Sequence, residues 1–108
     1  MAKSRKDLDK LLRDILTTNG ISRSNLYFQP PNDVHLSYPC IIYSLSKIDT
    51  DNADNQLYRA INRYDILVIS NDPDNTIALS IMSTIGTCFH SRRYVSDNLY
   101  HDALTLYF

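Results

Sequence analysis

Cys40-Ile41-Ile42-Tyr43-Ser44-Leu45-Ser46-Lys47-Ile48-Asp49, followed after a polar stretch by Leu57 to Ser70, decides the architecture. In the first run Ile41, Tyr43 and Leu45 fall on one side of an extended chain. Ile42, Ser44, Ser46 and Ile48 fall on the other. The second run is densest in Tyr64 to Ile69. Between the two lies Asp49-Thr50-Asp51-Asn52-Ala53-Asp54-Asn55, whose short polar side chains favour turns and loops. Two extended runs about a polar segment predict a long antiparallel hairpin.

Upstream, Leu8, Leu11, Leu12, Ile15 and Leu16 recur at helical spacing and predict an amphipathic helix over about Lys3 to Thr18. Ser4 and Asp7 imitate a capping box at its start, and Asn19-Gly20 ends it. Leu26 to Gln29 reads as a short strand closed by Pro30-Pro31. Downstream, Asp72-Pro73-Asp74 carries the residues of a helix start, and Gly86 those of its end. Ile77, Ile81 and Ile85 form that helix's stripe. Two further strands, Phe89 to Val95 and Leu99 to Phe108, flank the turn signal Ser96-Asp97-Asn98. The apolar end Leu106-Tyr107-Phe108 is expected to be tied into the sheet or a neighbouring subunit. The expected fold class is α+β: one domain over residues 1–108, with a small antiparallel or mixed β-sheet, two helices packed on it and a long β-hairpin.

The chain has 108 residues, 44% of them hydrophobic, enough for one core and against disorder. Its longest apolar runs, Ile41 to Tyr43 and Ile66 to Ile69, fall far short of the roughly 20 residues that span a bilayer, so no membrane association is expected. The charged stretch Met1 to Asp14 does not read as a secretory signal. A net charge of -1 argues against a dedicated nucleic-acid binder. All 12 acidic residues are Asp and sit mainly where caps and turns are expected.

No catalytic, cofactor-binding or metal-binding constellation assembles from the sequence. Cys40 and Cys88 read as buried, reduced thiols. Cys88 and His90 share a strand face, but no C-x-x-C or H-x-x-x-H accompanies them. His101 and Asp102 are neighbours on a strand and face opposite ways. The segment from Asp49 resembles the start of an EF-hand loop, yet its sixth and twelfth positions are Asp54 and Ala60 in place of Gly and Glu. No P-loop, G-x-S-x-G or dinucleotide fingerprint occurs.

Eight Tyr and three Phe are more aromatics than one small core holds. Tyr fills wet strand positions, and it is also enriched, with Arg, in protein interfaces.

Tyr27-Phe28-Gln29-Pro30-Pro31, Leu36-Ser37-Tyr38-Pro39-Cys40-Ile41-Ile42-Tyr43, Ala53-Asp54-Asn55, Arg63-Tyr64, Asp72-Pro73-Asp74 and Ser96-Asp97-Asn98-Leu99 together resemble the tail terminators of tailed bacteriophages, also called tail-completion or tail-to-head joining proteins. The resemblance runs from about Leu8 to Phe108. It implies a virion structural protein rather than an enzyme. Copies would close into a ring, expected to be hexameric, that caps the tail tube and joins it to the head connector. Its partners would be itself, the tail tube protein, a head-completion or connector protein, and a sheath protein where the tail contracts. Genome DNA would pass the lumen without specific binding. Assembly in the host cytoplasm and residence in the tail or neck of the virion follow. Carried onto this chain, the interface residues would be Asp49, Asp51, Asn52, Asp54, Asn55, Leu57, Tyr58 and Arg59 in the hairpin, with Tyr107 and Phe108 at the end. Two other readings stand beside it: another phage neck protein, such as a head-closure protein or connector, and a small metal- or nucleic-acid-dependent enzyme.

Overall fold

The computed structural model describes the backbone of residues 4–53 and 56–108, and the side chains of all of these but 49–60. Chain order is α1 (Arg5–Thr18), a 3-10 turn (Arg23–Asn25), β1 (Leu26–Phe28), β2 (Cys40–Ala53), β3 (Gln56–Ser70), α2 (Ile77–Thr84), β4 (Cys88–Ser96) and β5 (Leu99–Tyr107). The strands form one mixed sheet in the order β1-β2-β3-β5-β4, and the fold is α+β. The long hairpin is β2–β3.

Helix α1 starts as its sequence dictates. The Asp7 N–H donates to Ser4 Oγ and the Ser4 N–H donates to Asp7 Oδ2, a reciprocal capping box. At the other end the Ile21 N–H reaches the Leu16 carbonyl and the Gly20 N–H reaches Thr17. These two bonds form a Schellman motif, and it needs Gly20 at φ +75°, where a side chain is strained. Leu8, Leu12, Ile15 and Leu16 are buried against the sheet.

The second helix begins later than Asp72 suggests. Asp72 Oδ1 accepts from the Asp74 N–H at 2.9 Å, and the Asn75 N–H reaches the Asp72 carbonyl. Asp72 therefore closes a turn with Pro73 at its second position, a favoured place for proline. Four turn formers in succession delay the helix to Ile77, where Asn75 Oδ1 accepts the first helical N–H. Ile77, Ala78 and Ile81 are buried, and Ile85 is buried at the C-cap.

The polar stretch 49–53 is also more regular than its composition predicts. The ladder continues through Asp49↔Ile61, Thr50↔Ala60 and Asp51↔Arg59 to Ala53↔Gln56. Backbone pairing along two long strands outweighs the weak strand preference of single Asp and Asn residues. Strand β1 pairs parallel to β2, and β2–β3, β3–β5 and β4–β5 are antiparallel. Strands β4 and β5 meet at Asp97 and Asn98, both with positive φ (53° and 63°), the backbone of a type I′ hairpin turn. The Phe108 backbone exchanges two hydrogen bonds with Asn62, so the last residue is tied into the sheet.

The core lies between the helices and one sheet face. That face brings Ile41, Tyr43, Tyr64, Ile66, Val68, Leu104 and Leu106 against α1 and α2. The other face carries no helix and presents Ile42, Leu67, Ala103 and Thr105 at partial exposure.

Candidate functional site

The hairpin residues expected at an interface occupy two strands rather than a loop. Asp49, Asp51 and Asn52 lie in β2, and Leu57, Tyr58 and Arg59 in β3. Asp54 and Asn55 lie outside the described residues. Strand β5 pairs with β3 only from Arg63 to Ser70, so the hairpin beyond Arg63 projects past its neighbour. Tyr107 is half-buried on the helix-free face, edge-on to Phe89 with ring centres 6.5 Å apart. Phe108 packs against the rim of the core. Tyr107 and Phe108 are both half-buried, and the Phe108 backbone is hydrogen-bonded to Asn62 at the base of the projecting hairpin.

The aromatic excess divides in two. Tyr43 and Tyr64 are buried, and the Tyr43 hydroxyl donates to Asp9 Oδ2 at 2.6 Å and accepts from Arg5 Nη1 at 3.2 Å. Burial, reinforced by the Asp9 carboxylate, pushes the Tyr43 phenol up to about 12. The Arg5 guanidinium also covers the Phe28 ring at 4.5 Å. The other aromatics whose side chains are described are half-buried or exposed. Phe89 is 59% exposed and Tyr38 42%. On the helix-free face Arg92 covers Tyr94 at 4.7 Å, and Tyr94 stacks on His101 with ring centres 4.8 Å apart.

One polar cluster escapes sequence reasoning. Asp102 is 2% exposed and faces the helices from β5. Arg93 grips it from β4, and His90 Nε2 lies 3.0 Å from its Oδ1. Burial disfavours the Asp102 charge, but the hydrogen bonds from Arg93 and then His90 outweigh it and hold the carboxyl below its ordinary value. The partners lie 9 and 12 residues away, across a strand pair whose register shifts between His90 and Arg92. Neither spacing nor motif reveals them. His101 lies on the opposite face, as strand alternation requires.

The cluster holds a carboxylate and a fixed cation, and among the described residues no activated nucleophile lies beside them. Cys88, two residues from His90, is buried, and burial pushes its thiol up to about 11. Cys40 is likewise pushed up to about 11, and both cysteines are free. Among the described residues no group of three or more His, Cys, Asp or Glu is placed to hold a metal ion. Among the same residues no helix is long and apolar enough to cross a membrane.

Strand β4 is largely exposed. Apart from buried Cys88 and half-buried Tyr94, every residue from Phe89 to Ser96 is exposed, and the strand ends the sheet. Compared with known proteins, the chain matches no family model and no curated protein.

Proposed function

We propose that this chain is a virion structural protein, a tail terminator whose copies close into a six-membered ring between tail tube and head connector. The observation that carries the reading is β4: a nine-residue edge strand, seven of its residues exposed, on a sheet of five. Such an edge is a template for another chain, and an assembly covers it. The aromatic surface, the projecting hairpin and the resemblance described above support the same reading. In it the protein acts by assembly, not by catalysis. The hairpin 49–59 contacts the tail tube or the connector, and a sheath where one is present. A near-neutral subunit lets DNA slide through the lumen, because few phosphate contacts form.

The test is cryo-EM of the virion neck, with native mass spectrometry of the purified chain. A ring of this protein at the end of the tail tube is expected. Its absence from virions, together with a strictly monomeric state, overturns the reading. A ring seated at the portal instead assigns the chain to head closure. Tight heats of binding with calcium, zinc or a DNA duplex in calorimetry would favour the enzyme reading.

A further inference from the structure

Among the described residues, two edges of the sheet stay open, one on each side. Among the same residues, strand β4 has no neighbour outside it. Strand β1 covers β2 only opposite Ile41 to Tyr43. Gln29 extends that cover a little: its N–H donates to the Tyr43 carbonyl and its Oε1 accepts from the Leu45 N–H. Beyond Leu45, among the described residues, no strand lies beside β2 on that side.

Each open edge contains one straight run. In β4 the register is continuous from Arg92 to Ser96, after the irregularity between His90 and Arg92. In β2 it is continuous from Lys47 to Asp51, between two register shifts. The runs are Arg-Arg-Tyr-Val-Ser and Lys-Ile-Asp-Thr-Asp. The first carries two cations and no acid; the second carries two acids and one cation. Both hold exposed apolar strand formers, Val95 at 62% and Ile48 at 54%.

Direction agrees as well. Strand β3 is antiparallel to β2, β5 to β3, and β4 to β5, so β4 runs opposite to β2. A second copy placed beside the first in the same orientation therefore meets β4 with its β2 antiparallel. Aligning the two runs sets Ile48 opposite Val95 and Asp51 opposite Arg92. Ile48 and Val95 both lie on the helix side of the sheet, as their partners Asn62 and Tyr100 do.

We propose that the Arg92–Ser96 edge of one copy pairs antiparallel with the Lys47–Asp51 edge of the next, continuing the sheet from subunit to subunit. The occupant of each edge is a second copy of this chain. Opposite edges joined this way make a heterologous contact, which closes into a ring or runs on as a filament. The proposal rests on the assembly reading above and names the surface that reading uses.

The full-length I48C/V95C variant, oxidised with copper–phenanthroline, tests it. Facing residues on paired strands stand within disulfide reach. The native thiols at positions 40 and 88 are buried, and both new cysteines replace exposed side chains, so the fold is expected to persist. Circular dichroism checks this. The expected product is a covalent ladder with 48–95 links in its peptide map, while I48C or V95C alone gives dimers at most. Placing R92D or D51R in that background lowers the yield about three- to tenfold, and R92D/D51R together restore it. A folded protein that forms no 48–95 link overturns the proposal. A closed hexamer lacking that link overturns the edge contact and leaves the ring standing. A 48–95 ladder that never closes removes the ring and leaves the edge contact.

Discussion

Arg93 holds Asp102 with two parallel contacts across the β4–β5 pair, Nε to Oδ1 at 3.0 Å and Nη2 to Oδ2 at 3.2 Å. Its remaining nitrogen, Nη1, donates to the Pro73 carbonyl at 3.0 Å. One guanidinium thereby joins the exposed edge strand, its neighbour and the turn that precedes α2.

This sets an acid limit on the fold. Asp102 is held below its ordinary 3.8 when folded and returns to it when unfolded. The unfolded chain therefore takes up the proton first as pH falls. The stabilisation is complete above about pH 5 and is lost as pH drops through 4 toward the folded value. Asp102→Asn should cost about 1–3 kcal/mol at pH 7. Its urea midpoint should also depend less on pH between 3 and 6 than that of the parent chain.

Tyr43→Phe removes a donor to Asp9 and an acceptor for Arg5 without changing the buried ring. A loss of about 1–2 kcal/mol at neutral pH is expected from urea unfolding. The Tyr43 hydrogen bond helps hold the Asp9 carboxyl below its ordinary range against the opposing effect of burial. An NMR titration of the variant should show Asp9 protonating at higher pH.

Leu12 and Ile81 are fully buried on α1 and α2. Replacing either with Ala should cost about 2–5 kcal/mol, read from chemical denaturation. Phe89→Ser, at a 59% exposed position, should stay within about 0.5 kcal/mol of the parent. The reverse ranking would mean that core and surface are wrongly assigned.

Asn98 sits at φ +63° in the β4–β5 turn. Asn98→Gly produces Asp-Gly, a favoured type I′ pair, and should be neutral or stabilising in a thermal melt. Asn98→Val forces a β-branched residue into the left-handed region at about 1–2 kcal/mol.

In the hairpin, Tyr58→Ala or Asp51→Ala should leave the circular dichroism and melting of the isolated chain unchanged while, under the proposed assembly role, lowering incorporation into particles. Unfolding of Tyr58→Ala would place that residue in the fold instead of the interface.

Much of this architecture was legible in the residue order. The stripe from Leu8 to Leu16, the alternation from Ile41 to Leu45 and the Asp97-Asn98 turn each announce their element through local spacing. Other features were hidden because they are not local. Nothing in Leu26 to Phe28 says that it pairs parallel to β2. The turn-forming run Asp72 to Asn75 reads equally well as a helix start until its hydrogen bonds are seen. The stretch from Asp49 to Ala53 becomes strand because its partner strand is long. The Asp102 cluster depends on a register shift in β4 that no composition encodes.

The strand order β1-β2-β3-β5-β4 has a kinetic consequence. Strands β2 and β3 follow one another along the chain, as do β4 and β5, and hairpins of consecutive strands form within about 1–10 μs. The β3–β5 seam, from Arg63↔Tyr107 to Ser70↔Tyr100, joins segments separated by α2 and all of β4. Closing it carries the larger loop entropy. Folding is therefore expected to proceed by two preformed hairpins meeting along that seam, with α2 seated as they meet. A substitution at Leu104 on the seam should slow folding, whereas one at Leu99 beside the β4–β5 turn should chiefly change the stability of one hairpin.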